Sequence, residues 1–546
     1  MNKVTYMGTY FPWRPLLIIL AIALIGRVLL LASGAVSFHS DEAIVALMAR
    51  HIMAGERPTF FYGQAYMGSL DSWLVSIGFR LLDESVLTIR IVQSLLYLLM
   101  VAVGYAVAWQ FSRSRVTAPV AGLVLAVPTP LLAVYTTATL GGYNEVLLLG
   151  ALILLFGHRA ITSDAQAQWL SWLLLGLCAG VGWWVNGLIL VYLLPVSVVG
   201  LYTLVRRALT RQNLASDLSG IALAAVGFIV GSAPWWVYDF ANNHRALQFY
   251  LTGAQSSGFG GAVQTPIEKL LGLGLFGFPA LAGLRFPWST AYFAPILGLV
   301  VLAIYIAAVY RLARANSLQP GARPLLLSML MIFVLLFAFS SFGSDPTGRY
   351  LLPLTLPLAI ALGALVDSAG KLEPTSENSS LRAHRRVPLQ IGLTLLVVGY
   401  AAAGQITAAR EPTGLTTQFT YESHIPNNHD QALITFLDEH QLYHGYTHYW
   451  VAFRLAFLSG ERMRYSPALP YRADLTYNPG DDRYPAYTEA TQNAERIAYI
   501  TTDRLPEYDE VLQAEFDAQG VTYQMETLGP FRVYYDFSPP HPDPIQ

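Results

Sequence analysis

The sequence predicts an all-α polytopic membrane domain of about eleven transmembrane helices, followed by a C-terminal extracytoplasmic α/β domain. Three observations predict it. Charged residues are 12% of the chain and hydrophobic residues 54%, with a positive mean hydropathy, whereas a soluble domain is roughly a quarter charged. Apolar stretches of spanning length recur from Leu16 to Ile406. From Ala408 onward the chain turns polar and aromatic-rich and contains no such stretch, so the division falls at 1–407 and 408–546. The net charge of −2 argues against nucleic acid as a partner, and the single cysteine, Cys178, rules out an intrachain disulfide.

The apolar stretches run approximately over 16–33, 85–111, 117–134, 146–156, 169–181, 188–205, 220–235, 291–310, 325–342, 350–366 and 387–406. The first follows Lys3 and Arg14 without a small-residue cleavage site, which reads as a retained span. Basic residues fall at alternate connections: Arg113 and Arg115, Arg159, Arg206 to Arg211, Arg311 to Arg323, and Lys371 to Arg386. Excess Lys and Arg mark cytoplasmic loops, so the N-terminus is expected inside and the C-terminal domain outside. That side excludes Asn378-Ser379-Ser380 as a glycosylation acceptor.

The outward loops carry the candidate chemistry. The first, 34–84, contains Asp41 and Glu42 just after the first span, where partial desolvation tunes carboxylate basicity; Asp41 is the candidate general base. The same Ser40-Asp41-Glu42 also reads as a helix start, with Ser40 as N-cap and Gly55 and Pro58 ending the helix. Further along, Leu70, Trp73, Leu74, Ile77 and Leu81 form an apolar face expected of an interfacial helix. Glu145 follows Gly141, Gly142 and Tyr143 at the mouth of the fourth span, either as a dipole partner or as a second acid.

Arg349, beside Tyr350, precedes an apolar segment interrupted by Pro353 and Pro357. Guanidinium is a natural bidentate partner of phosphate, and the competing reading is a snorkelling Arg or an ion pair with Asp345. Arg27 lies inside the first span, where a charge costs roughly 2.5–3.5 kcal/mol on insertion scales; pairing with an acid such as Glu145 is expected. Arg90 reads as an ordinary interfacial charge. Tyr62, Tyr66 and the Trp pairs fit an interfacial belt, a few of them suited to stacking on sugar.

Beyond Ala408 the pattern gives a helix at 430–440, a strand at 496–501, a helix at 507–519 and strands at 522–526 and 531–536, with a disordered Pro-rich tail after Phe537.

Five motifs carry a family resemblance: FHSDEAIVALMARHI, YGQAYMGSL, ESVLTIRIVQSLL, GGYNEVLLLGALILL and SDPTGRYLLPLTLP. In this order the chain resembles the membrane-integral C-type glycosyltransferases near the protein mannosyltransferase and aminoarabinose transferase branches. The segment THYWVAFRLAFLSGERMRYSP also looks like the outer domain attached to some of them.

The resemblance implies inverting transfer from a polyprenyl-phosphate sugar to a lipid, glycan or protein acceptor at the outer face of a bacterial plasma membrane. It matches Asp41, with Glu42 beside it, to the first-loop acid, Arg349 with Tyr350 to the donor phosphate, and Glu145 to the second-loop acid. His39, Tyr62, Tyr66 and Tyr143 are the accompanying substrate-binding candidates. The residues around Glu145 lack an Asp-rich motif, so a divalent cation stays open. The alternative function is a transporter or flippase of lipid-linked sugars, and a third reading is a scaffold whose outer domain binds a partner.

Overall fold

The computed structural model describes residues 10–162, 168–210, 214–251, 264–314, 318–369 and 379–540. Lys3, Arg211, Lys371 and Asn378 lie outside the described residues, as does most of the Pro-rich tail. The chain divides into two compact units. The first comprises residues 1–34, 93–137 and 142–411, and the second residues 35–92, 138–141 and 412–546. The loop after the first span therefore packs with the C-terminal region.

Among the described residues, eight helices are long and apolar enough to cross a membrane: Trp13–Ala32, Val86–Ser112, Tyr143–Thr162, Gly187–Leu209, Pro295–Arg314, Ala322–Phe339, Arg349–Ala369 and Pro388–Arg410. A ninth is made if Ala215–Gly231 and Ala233–Ala241, bent by 59°, count as one span. The expected number of about eleven is thus not reached at full length. The third segment breaks into Thr117–Ala126 and Pro130–Tyr135. Pro128 and Pro130 each lack the N–H that a continuing helix needs. The fifth is the shorter helix Trp169–Val185.

Two glycine pairs set the closest helix packing in the first unit. A Cβ at Gly176 would lie 2.0 Å from the Ala224 carbonyl oxygen, and one at Gly180 would lie 2.2 Å from that of Phe228. Across the same contact, Gly227 and Gly231 face the carbonyls of Leu173 and Leu177, each at 2.5 Å from the position of a Cβ. Small residues four apart let apolar helices meet backbone to backbone. Larger side chains would separate them.

Arg27, 3% exposed, meets no acid among the described residues. Its guanidinium donates to the carbonyls of Ala133 (3.3 Å) and Thr136 (3.2 Å) and to the hydroxyls of Thr136 and Thr137, and lies 3.7 Å from the Tyr97 ring centroid. The carbonyls at the end of Pro130–Tyr135 have no helical donors of their own, so a cation there satisfies both parties. This replaces the expected pairing with Glu145.

The second unit is built on the helix Ser40–Met53, in which Ala43 to Ala49 are all buried at 2% exposure or less. Leu70–Leu81 and Tyr449–Leu458 pack against it. Its N-cap is His39 rather than Ser40, because the Ser40 hydroxyl instead donates to the Tyr449 carbonyl at 2.6 Å. In Leu70–Leu81, Val75 and Phe79 face the core while Ile77 and Leu81 stand 52% and 76% exposed. The anticipated apolar face is thus largely turned outward.

Strands β1 (Phe60–Phe61) and β2 (Gln64–Gly68) form a small antiparallel hairpin turning at Gly63, whose φ of +70° favours glycine. A five-stranded sheet follows, from β3 (His444–His448), β4 (Arg464–Leu469), β5 (Ala498–Thr502), β6 (Thr522–Leu528) and β7 (Phe531–Ser538), in the order β4-β3-β5-β7-β6. The first three are mutually parallel and β7 runs antiparallel to β5 and β6. Leu433, Ile434 and Leu437 cover one face with Ile500 and Val533, and Leu512 and Phe516 cover the other with Tyr499 and Tyr534. The helices Asp430–Glu439 and Pro506–Ala518 and strands β5 to β7 match the sequence reading. Strands β3 and β4 and the helix between them do not appear in it.

Candidate active site

In the first unit the candidate cation is Arg349, which opens the short 3-10 segment Arg349–Leu354. The turn before it places Gly348 at φ +87°, the left-handed region. Asp345 accepts from the Thr347 N–H (2.8 Å) and hydroxyl (2.5 Å), and its other oxygen forms an ion pair with Arg349 Nε at 2.6 Å. The Asp345 side chain is 3% exposed and the Arg349 side chain 27%. The acid is therefore buried and locked, and it aims a cation that stays accessible.

The ion pair with Asp345 that the sequence offered is present. Arg349 also donates to the Tyr350 hydroxyl at 3.2 Å, and its electrostatic neighbours include Tyr143 and Tyr135. Those two rings meet edge to face at 5.5 Å. Glu145, in the first turn of Tyr143–Thr162, is 2% exposed. Its neighbour Asn144 donates to the Gln93 carbonyl at 2.7 Å.

The segment beginning at Arg349 also borders an apolar cavity of about 470 Å³. Leu354, Thr355 and Leu358 line it with Leu125, Leu132, Phe278, Ile306 and Val334. Such walls suit a hydrocarbon chain.

In the second unit, adjacent carboxylates have opposite surroundings. Glu42 is fully buried and takes a two-pronged grip from Arg90, Nε to Oε1 at 3.2 Å and Nη2 to Oε2 at 3.1 Å. Burial pushes its carboxyl above the ordinary range and Arg90 opposes that. Arg90 is therefore a structural partner rather than a free interfacial charge. Asp41 is half-buried and accepts a hydrogen bond on Oδ1 from the Tyr449 hydroxyl. Arg483 and Asp481 lie within its electrostatic reach. Burial raises Asp481 to about 6, against the pull of Arg483 and Arg472.

His39 is 1% exposed, bonded through Nε2 to the Thr417 hydroxyl at 2.8 Å and set against the Trp450 ring. Burial lowers it to about 4, so it is neutral at pH 7. Tyr66 neighbours Arg483. Tyr62 belongs to a different cluster, stacked on Tyr484 at 4.9 Å and donating to Glu56 at 2.7 Å. There His51 meets Tyr62 (2.8 Å) and Glu461 (3.0 Å), and Tyr487 donates to Glu461 at 2.7 Å. Burial alone would raise Glu461, but the bonds from His51 and Tyr487 outweigh it and bring it to about 2.

Sequence reasoning missed Tyr449, Arg483 and Asp481. Among the described residues, no group of three or more His, Cys, Asp or Glu stands together as a metal-holding set.

The family model described as dolichyl-phosphate-mannose-protein mannosyltransferase matches residues 69–238. An undecaprenyl phosphate-alpha-4-amino-4-deoxy-L-arabinose arabinosyl transferase of Pseudomonas aeruginosa is 25% identical over 334 residues, 61% of this chain and 55% of that protein. Its counterpart in Pseudomonas fluorescens is 25% identical over 324 residues, 57% and 52% of the two chains. The match spans about half the length of these curated relatives.

Among solved structures, ArnT from Cupriavidus metallidurans bound to undecaprenyl phosphate superposes with a TM-score of 0.59 at 13% identity, covering 95% of this chain and 97% of that one. The archaeal oligosaccharyltransferase AglB from Archaeoglobus fulgidus, in complex with an inhibitory peptide and a dolichol-phosphate, superposes with a TM-score of 0.54 at 12% identity, covering 90% and 70%. The shared property at this identity is the fold.

Proposed function

We propose that this chain, similar to the membrane-integral C-type glycosyltransferases of the protein mannosyltransferase and aminoarabinose transferase type, moves a sugar from a polyprenyl phosphate to an acceptor hydroxyl or amine. The observation that carries the reading is Arg349, an accessible guanidinium held by a buried acid, at the head of a segment that lines an apolar cavity. A lipid phosphate asks for that pairing of cation and hydrocarbon wall. The names of the relatives and neighbours support the same donor class.

In this reaction the acceptor oxygen or nitrogen attacks the anomeric carbon while the bond from that carbon to the phosphate oxygen breaks. Polyprenyl phosphate leaves with the bonding electrons. Arg349 meets its charge, so no acid need protonate the leaving group. Asp41 takes the acceptor proton, and a positioned base contributes roughly 10² to 10⁴ in rate. A single displacement inverts the anomeric centre. The distribution of basic residues supports an outer-face reaction in a bacterial plasma membrane, with the N-terminus inside. Glu145 is the second acid of the proposal, and Tyr143 and Tyr350 flank the phosphate.

Undecaprenyl phosphate titrated onto the detergent-solubilised chain tests the cation. Arg349→Ala is expected to weaken binding about tenfold or more, by analogy with other charge-assisted contacts; equal affinity in both proteins removes the phosphate role. One observation favours the second reading, a transporter: the 59° break between Ala215–Gly231 and Ala233–Ala241, since transporters use interrupted helices, commonly in symmetric pairs. Labelled lipid-linked sugar that crosses the bilayer without being transferred would select it.

A further inference from the structure

The geometry points to Tyr449 and Arg483, both from the C-terminal region, as the positioning residues that fix the Asp41 carboxylate with one oxygen held and the other presented to the acceptor. The inference rests on the reading of Asp41 as the base. All of its parts lie within the second unit.

Asp41 is the second residue of Ser40–Met53, and Tyr449 is the first of Tyr449–Leu458. Ser40 Oγ donates to the Tyr449 carbonyl at 2.6 Å, which ties the two helix starts together. From that anchored position the Tyr449 hydroxyl donates to Asp41 Oδ1. Among the described residues Oδ2 has no protein donor, and the side chain is only half-buried. One oxygen orients the group and the other can take a proton.

Tyr449 is itself held. It is 3% exposed, and the Arg483 guanidinium sits 5.7 Å from its ring centroid. With the Gln64 amide turned so that its oxygen faces the guanidinium, that oxygen accepts from both terminal nitrogens of Arg483 at 2.7 Å. Gly63 makes the approach feasible, because a Cβ there would stand 3.0 Å from Arg483 Cδ and 3.3 Å from its Cα. The Arg483 side chain therefore threads between the β1–β2 turn and the Tyr449 ring. Its positive charge lies in electrostatic reach of Asp41.

The orientation of the candidate base is thus supplied by residues some 400 positions later in the chain. Glu42, one residue away, is held instead by Arg90.

The test uses the full chain in proteoliposomes with radiolabelled polyprenyl-phosphate sugar, comparing Tyr449→Phe, Arg483→Gln and Arg483→Lys with the native protein and with Asp41→Asn. Tyr449→Phe and Arg483→Gln are expected to lower kcat by about tenfold or more while donor KM stays within about twofold, as loss of orientation does. Arg483→Lys, which keeps the charge, should recover part of the loss. The thermal midpoints of the two arginine variants should agree, separating orientation from folding.

Native kcat in Tyr449→Phe, or equal kcat in Arg483→Gln and Arg483→Lys, overturns the positioning role while Asp41→Asn remains inactive. Full transfer by Asp41→Asn overturns the reading of the base, and the positioning role with it. If Tyr449→Phe fails to fold, the two arginine variants decide.

Discussion

Arg27 and Arg349 both belong to apolar segments of the first unit, yet their surroundings assign them different work. Arg27 is 3% exposed and, among the described residues, meets only carbonyls, hydroxyls and the Tyr97 ring. Its charge closes the end of a short helix. Arg349 rests one edge on a buried acid and keeps its side chain 27% accessible. The second unit repeats the contrast with carboxylates: Glu42 is buried under Arg90, while Asp41 is held on one side by Tyr449 and open on the other. A buried charge with its partners in the protein stabilises; a charge that is held yet partly accessible can act on a ligand.

The sharpest way to break this comparison is to neutralise the two carboxylates separately. Asp41→Asn should lose roughly 10² to 10⁴ in transfer rate with an unchanged thermal midpoint. Glu42→Gln leaves Arg90 without its charged partner, which costs on the order of 3–5 kcal/mol for a buried pair. Its midpoint should therefore fall, with kcat near native in the folded fraction. Rate assays beside a thermal melt read both, and exchanged phenotypes would refute the contrast.

The arginines give the next largest effects. Arg349→Ala should weaken undecaprenyl phosphate binding with little change in melting. Arg27→Met takes the guanidinium donor from the buried Thr136 carbonyl, at about 1–3 kcal/mol, and should lower stability while leaving lipid affinity intact. Binding titration and melting on the same preparations check both.

The smallest effect concerns pH and the second unit alone. Burial lowers His39 from 6.5 to about 4. The folded state therefore favours neutral His39. Its contribution is present above 6.5 and is lost as pH falls from 6.5 towards 4. Glu461 is lowered from 4.5 to about 2, so its contribution is lost at more acid pH, between those values. A His39→Gln variant should show a flatter fall of the thermal midpoint between pH 7 and 5 than the native chain. An identical slope would remove His39 as the cause.

Much of the fold was legible because spanning helices are local signals. Each of the apolar stretches has a helix, and the shortfall against about eleven comes from the third segment, broken at Pro128 and Pro130, the short fifth helix Trp169–Val185 and the bend between Ala215–Gly231 and Ala233–Ala241, local features that a hydropathy window averages away. The close pairing of Trp169–Val185 with Leu214–Gly231, through Gly176 and Gly180 opposite Gly227 and Gly231, was not read from the sequence, because which glycines face each other is set by packing. Strands β3 and β4 escaped because each is short and the apolar run between them forms a helix of 10 residues.

The candidate site divides the same way. Asp41, Glu42 and Arg349 stand out as charges beside apolar segments, but what distinguishes Asp41 from Glu42 is a contact across the chain. Tyr449 and Arg483 lie in stretches with no motif pointing back to the first loop. Only the folded second unit brings them there.

The most direct test of the central claim is transfer from a mixture of radiolabelled polyprenyl-phosphate sugars in proteoliposomes, native chain against Asp41→Asn at equal expression. The account predicts label moved onto an acceptor by the native protein and at least about a hundredfold less by the variant. Equal transfer by both, or label that only crosses the bilayer in both, would contradict it.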